Sequence, residues 1–222
     1  MGIVALLLGD FEKAVTKLRE AIDGLEILGD KSDVGIAKYN LAIALRDSGS
    51  FDEALWTLKE AEKELKLANR RPTLLCTLSE MTTIYCKLGK LSLAEKTLAK
   101  VGKIATETED VDALGNLEAA HAVFFVFAKN EGEAKKRFER ALSLFSLSQF
   151  DRARALLICG ELETGLYEQV RAHLLEAKNS FRSYALRVMS KKLSVCWASV
   201  LESHTTPEQK EEEGFLGLWQ RR

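Results

Sequence analysis

A period of 40 residues constrains this chain more than any other feature. Counted from Ala54, equivalent small residues stand at Ala14, Ala94, Ala134 and Val170, spaced by 40, 40, 40 and 36 residues. Four residues beyond these anchors stand Leu18, Leu58, Leu98, Phe138 and Leu174, and seven beyond stand Ala21, Ala61, Val101, Ala141 and Ala177. Five before stand Gly9, Gly49, Gly89, Lys129 and Gly165, and three before stand Phe11, Phe51, Leu91, Glu131 and Tyr167. The fourth unit departs from the pattern, with Lys129 and Glu131 where glycine and an aromatic are expected. Self-similarity of this kind points to supersecondary units stacked in a row, each burying its face against the next.

Each register has a physical reason. Residues seven apart lie on one helical face two turns apart, and small side chains there let a neighbouring helix come close. A bulkier residue would overpack such a site at about 1–3 kcal/mol. The residue four beyond the anchor fills the volume between the small ones. Glycine five before the anchor ends the preceding helix, since it tolerates the left-handed conformation there. Asp10, Ser50 and Ser92 are suitable N-cap types for the helices that follow.

The pattern predicts helices over 12–28, 34–48, 52–68, 73–88, 92–105, 111–129, 133–147, 150–163 and 167–182. Pro72 suits a first helical turn, and the polar stretch 106–110 reads as a loop with an N-cap. The apolar run 122–128 makes 111–129 the helix expected to be buried on most sides. Residues 3–8 fill the place of a first helix but are too few for a full one, which favours a fragment of a larger protein. Beyond Phe181 the period is lost. Residues 184–203 read as a capping helix, and 205–222 as a polar linker with an apolar C-terminal tail. The array itself is assigned to 1–204.

Two prolines in 222 residues and an abundance of Ala, Leu, Lys and Glu favour a nearly all-helical chain, and no alternating run reads as a strand. A net charge of −1, from 32 basic and 33 acidic residues, gives no electrostatic reason to expect nucleic acid. No run of 18 apolar residues is present, so no membrane partner is expected. The four cysteines form no CxxC pair and read as reduced thiols of a cytoplasmic protein.

The repeating unit resembles the tetratricopeptide repeat (TPR), a helix–turn–helix. The second unit carries the resemblance most fully: Tyr39, Asn40, Leu41, Ala42, Leu45, Gly49, Phe51, Ala54 and Ala61 all fall on consensus types. The third follows with Met81, Tyr85, Gly89, Leu91, Ala94 and Val101, and the likeness extends roughly from residue 2 to residue 181. The 40-residue period exceeds the standard unit and is similar to the extended repeats of large regulatory and motor-adaptor proteins. The resemblance implies an all-α, right-handed α-solenoid with a C-terminal capping helix.

It also implies a function: a non-catalytic scaffold that docks a peptide or protein segment on its concave face. First-helix positions would line that face, namely Tyr39, Asn40, Ile43, Arg46 and Asp47, then Glu80, Thr83 and Lys87, then Asn116, Val123 and Phe127, then Arg152. Replacing Tyr39 by alanine and Arg46 by glutamate together should then weaken binding without lowering stability. The chaperone-binding subgroup clamps a C-terminal carboxylate with a basic set of residues. Only Asn40 matches that set; Cys76 and Glu80 hold the next positions, and a glutamate there would repel a carboxylate. The alternative role is the sensory or self-association arm of a larger regulatory protein, with the terminal repeats as the contact.

Nothing in the sequence suggests catalysis. His121, His173 and His204 have no second ligand at metal-type spacing, and no phosphate-binding or nucleophile-elbow motif is present, so neither cofactor nor metal is expected. His121 falls in the register of Leu41 and Met81, a packing position. The basic residues of the third unit, among them Lys96 and Lys100, and the run 59–66 read as solvated helix surface.

Overall fold

The structure, a computed structural model, describes residues 1–7, 9–108 and 110–144. The chain divides into two parts, Met1–Arg182 and Ser183–Arg222, and every described residue belongs to the first. The expected fifth unit, the capping helix and the tail lie outside the described residues.

Among the described residues all regular structure is helical, in eight segments: α1 (Gly2–Leu7), α2 (Phe11–Leu28), α3 (Lys31–Asp47), α4 (Phe51–Leu67), α5 (Arg71–Lys87), α6 (Leu91–Thr108), α7 (Val111–Phe127) and α8 (Glu131–Leu144). Consecutive helices pack on one another throughout, which is the stacked helix–turn–helix arrangement that the period requires. The first helices of successive units also touch: α3 packs on α5, and α5 on α7. The second helices α2, α4, α6 and α8 make no comparable contact with each other, so the first helices form the more closely packed, inner row.

The small-residue seam is buried as expected. Ala14, Ala54, Ala94 and Ala134 are all at most 1% exposed, and Leu18, Leu58, Leu98 and Phe138 are buried beside them. Ala61, Val101 and Ala141 complete the seam. Ala21 does not: it is exposed, and the next residue, Ile22, is buried instead. Close approach occurs elsewhere too. A Cβ placed on Gly35 of α3 would stand 2.8 Å from Leu65 Cγ on α4, so only glycine fits that crossing.

The turns inside each unit repeat one geometry. Among the described residues, the second residue after each first helix takes a positive φ: 78° at Gly9, 87° at Gly49, 69° at Gly89 and 57° at Lys129. Around each, two backbone N–H groups reach back to the helix end, as in Ser50 N to Leu45 O (2.8 Å) and Asn130 N to Phe125 O (2.9 Å). The same pair of bonds closes every first helix whether or not glycine is present. In the fourth unit a lysine is held in the left-handed region, at a cost of about 1–2 kcal/mol. Replacing exposed Lys129 by glycine should therefore stabilise the protein by about 1 kcal/mol, read as a rise in melting temperature of about 2–4 °C. An unchanged or lower midpoint would contradict this.

Helix ends differ in places from the sequence expectation. α3 begins three residues early because Asp30 caps it, its carboxylate accepting from Asp33 N at 3.1 Å. Asp10 caps α2 in the same way, whereas Ser50 occupies the N-cap of α4 without a side-chain bond and Ser92 lies inside α6. The stretch expected to be a loop from 106 is helical to Thr108. There the hydroxyls of Thr106 and Thr108 donate to carbonyls one turn back, so polar residues continue the helix on its solvent side.

The most enclosed helix is α5 rather than α7. From Leu74 to Cys86 only Cys76 escapes full burial. Four of its buried hydroxyls are satisfied within the helix: Thr77, Ser79, Thr82 and Thr83 each donate to the carbonyl four residues back. In α7, Ala113, Ala119, Ala122 and Val123 are buried, but Phe124, Phe125 and Phe127 are only half-buried.

Candidate functional site

The inner row is built from positions that recur every 40 residues on α3, α5 and α7. Asn40, Glu80 and Ala120 share one register; Ile43, Thr83 and Val123 the next; Asp47, Lys87 and Phe127 the third. Burial changes along the row. Asn40, Ile43 and Asp47 are half-buried, while Glu80 and Thr83 are 2% and 3% exposed and Val123 is 1% exposed.

The centre of the row is an ion network. The Arg46 guanidinium on α3 donates through Nη1 to Glu80 Oε2 on α5, and its Nε donates to Asp47 Oδ1 at 2.7 Å. The Arg46 side chain is 10% exposed and that of Glu80 2%, so this pair is a buried, charge-assisted bridge between two units. Beyond it, Lys87 Nζ lies 6.0 Å from the centroid of the Phe51 ring, at the limit of a cation–π contact. Asn40 and Asn116 are each tied to their own helix, donating through Nδ2 to Ile36 O and Asp112 O at 3.0 Å.

These positions separate the expected groove residues into two sets. Asn40, Ile43, Arg46, Asp47, Lys87 and Phe127 keep some exposure. Tyr39, Glu80, Thr83, Asn116 and Val123 are buried. For Glu80 and Thr83 the reason is the close packing of α5 between α3, α4, α6 and α7. Arg152 lies outside the described residues. The double change at Tyr39 and Arg46 is corrected for the same reason. One residue is buried, and glutamate at the other would face Glu80, so stability would fall. Glu80 is a structural partner of Arg46, not a repelling group exposed in a groove.

Sequence reasoning missed these bridges, although a signal was present. Arg46–Glu80 and Arg19–Glu53 are both opposite charges 34 residues apart on successive units. A second buried carboxylate, Glu118 on α7, receives Arg137 Nη1 at 3.0 Å and Arg140 Nε at 3.3 Å from α8. The hydrogen bond from Arg137 to Glu118 raises the guanidinium's pKa further.

Close to this cluster, His121 stacks on Phe125 with ring centroids 6.2 Å apart, and its Nδ1 is buried without a hydrogen bond. Burial lowers its pKa and the Arg137 charge adds to the effect, while Glu118 opposes it. The unfolded chain therefore takes up a proton at His121 before the folded chain does. Its contribution to stability is complete above about pH 6.5 and is lost as pH falls below that value. His121→Gln should remove part of the loss of urea-midpoint stability between pH 7.5 and 5.5. An identical loss in variant and native protein would refute the assignment.

Among the described residues no group of three or more His, Cys, Asp or Glu could hold a metal ion. Burial pushes the Cys86 thiol up to about 12, which makes it unreactive. Among the described residues no helix is long and apolar enough to cross a membrane.

No protein-family model matches the sequence, and no curated protein matches it significantly. Solved structures do. The nearly identical TPR-like repeats of a Podosopora anserina protein named as a kinesin light chain match with a TM-score of 0.51 at 18% identity, covering 84% of this chain and 93% of that one. A single-residue variant of those repeats matches with the same score and coverage at 19% identity. At such identities the likeness is one of fold: the chain is a TPR-like helical-repeat solenoid.

Proposed function

We propose that this TPR-like solenoid is a non-catalytic scaffold that docks a peptide or protein segment on the inner face of its second and third units. The observation that carries the reading is the mixed, partly exposed strip on α3. There Asn40 offers an amide and Ile43 an apolar contact, beside the anchored charges of Arg46 and Asp47. Rigid helices present these groups in fixed register, which lowers the ordering cost of binding. An extended or amphipathic segment with mixed anchors suits such a strip. TPR-like folds commonly mediate protein–protein interaction, and the reading rests on that fold-level association together with the strip.

The test is capture of partners by the full chain as bait, compared with Asn40→Arg/Ile43→Ser, which spares the Arg46–Glu80 bridge. The expected result is a partner retained by the native chain and bound at least about tenfold more weakly by the variant, with the helical circular-dichroism spectrum retained. Equal retention by both would remove the site from this face. Concentration-dependent dimers in light scattering with no captured partner would replace the reading by self-association.

A further inference from the structure

A second surface lies on the opposite side of the array, where α4 and α6 stand apart over α5. They leave a recess of about 530 Å³. Its walls carry Lys59, Lys63 and Lys66 from α4 and Lys96 and Lys100 from α6, with Glu62 as the only acidic lining residue. Five lysines against one glutamate give a local charge of +4 in a chain whose net charge is −1. Overall basicity therefore does not explain it.

The repeat supplies an internal comparison. Forty residues earlier, the positions of Lys59, Lys63, Lys66, Leu93 and Lys100 are held by Arg19, Asp23, Glu26, Glu53 and Glu60. The corresponding face between α2 and α4 is thus acidic, and it is closed by the Arg19–Glu53 bridge. The positive walls are therefore not a feature of every unit; forty residues later Lys103, Lys136, Arg137 and Arg140 again outnumber Glu133, but there Arg137 and Arg140 are held by Glu118.

Its internal pairing leaves positive charge uncompensated. Glu62 binds Lys66 at 2.6 Å and faces Lys100 at 3.6 Å, tying α4 to α6. Lys63 pairs with Glu60 at 2.7 Å. Lys59 and Lys96, on opposite walls, pair with no carboxylate among the described residues. The floor, in contrast, is Met81 and Tyr85, both buried, with Leu93 at the edge 43% exposed.

We propose that this recess binds an acidic polypeptide segment of a partner protein, carboxylates against the lysine walls and an apolar side chain on the Met81–Tyr85–Leu93 floor. Lys59 and Lys66 are about 10 Å apart along α4, the reach of about three extended residues. Lysines accept carboxylates as point charges without requiring a fixed fork geometry. An inositol-type polyphosphate would satisfy the lysines but leave the apolar floor without a complementary group. The surface is distinct from the inner face and does not depend on the scaffold reading above.

The test uses the full chain and a fluorescein-labelled, glutamate-rich peptide with a central Leu-Phe pair, followed by anisotropy. The expected result is saturable binding that weakens as salt rises and falls at least about tenfold in Lys59→Glu/Lys96→Glu, with a smaller fall in Lys59→Gln/Lys96→Gln. Replacing the Leu-Phe pair by Ser-Ser should weaken it several-fold. Asp23→Lys/Glu26→Lys, in the neighbouring acidic face, should not weaken it. Absence of saturable binding, or binding unchanged by the double reversal, would overturn the proposal. So would indifference to the Leu-Phe pair with inositol hexakisphosphate displacing the peptide, which would assign the recess to phosphate.

Discussion

Glu80→Ala is expected to cost about 3–5 kcal/mol, because it leaves the Arg46 guanidinium buried beside an uncompensated gap. Glu80 is 2% exposed and spans from the third unit to the second, so the loss falls at the junction between them. Asp47 remains as a partner of Arg46, at 2.7 Å, which moderates the loss toward the lower figure. Chemical denaturation monitored by circular dichroism measures it. The companion variant Arg46→Met/Glu80→Leu removes both charges and should recover much of the stability, since a buried ion pair replaced by apolar residues is often neutral. If Glu80→Ala costs less than about 1 kcal/mol, the bridge contributes little, and water or other groups solvate Arg46.

Ala54→Trp is the second large effect, at about 3 kcal/mol or more. Ala54 is 0% exposed, on the seam with Leu58 and Ala61, and α4 there packs between α3 and α5. An indole in that space must push helices apart, and a close-packed interior offers no void to receive it. In a repeat array, whose units contact only their neighbours, the damage should concentrate in the second and third units. Amide exchange should therefore accelerate in α3–α5 more than in α8, with the melting temperature lower by about 6–12 °C. An unchanged midpoint would mean that the seam is not where the helices meet.

The legible part of the fold was the part repeated in every unit. Ala14, Ala54, Ala94 and Ala134 disclose the seam because each must be small for the same reason, and Gly9, Gly49 and Gly89 disclose the turns because each takes a positive φ. Lys129 shows the limit of that reading: the turn keeps its geometry although the side chain that signals it is absent. The candidate site was less legible. Helical spacing placed Glu80, Thr83 and Val123 on the inner registers, but spacing along one helix does not report how closely the next helix lies. Their burial, and the pairing of Glu80 with Arg46, depend on the distance between α3, α5 and α7.

From sequence alone follow the helical class, the 40-residue unit and the side of each helix that is apolar. Periodicity and residue size are local properties, written residue by residue. The tertiary arrangement alone decided that the polar α5 is the most enclosed helix, that Arg46 and Glu80 bind each other, and that five lysines from two helices gather over one recess. Each of these joins residues from different units, and electrostatic and packing energies depend on separations that only the stacking of the helices sets.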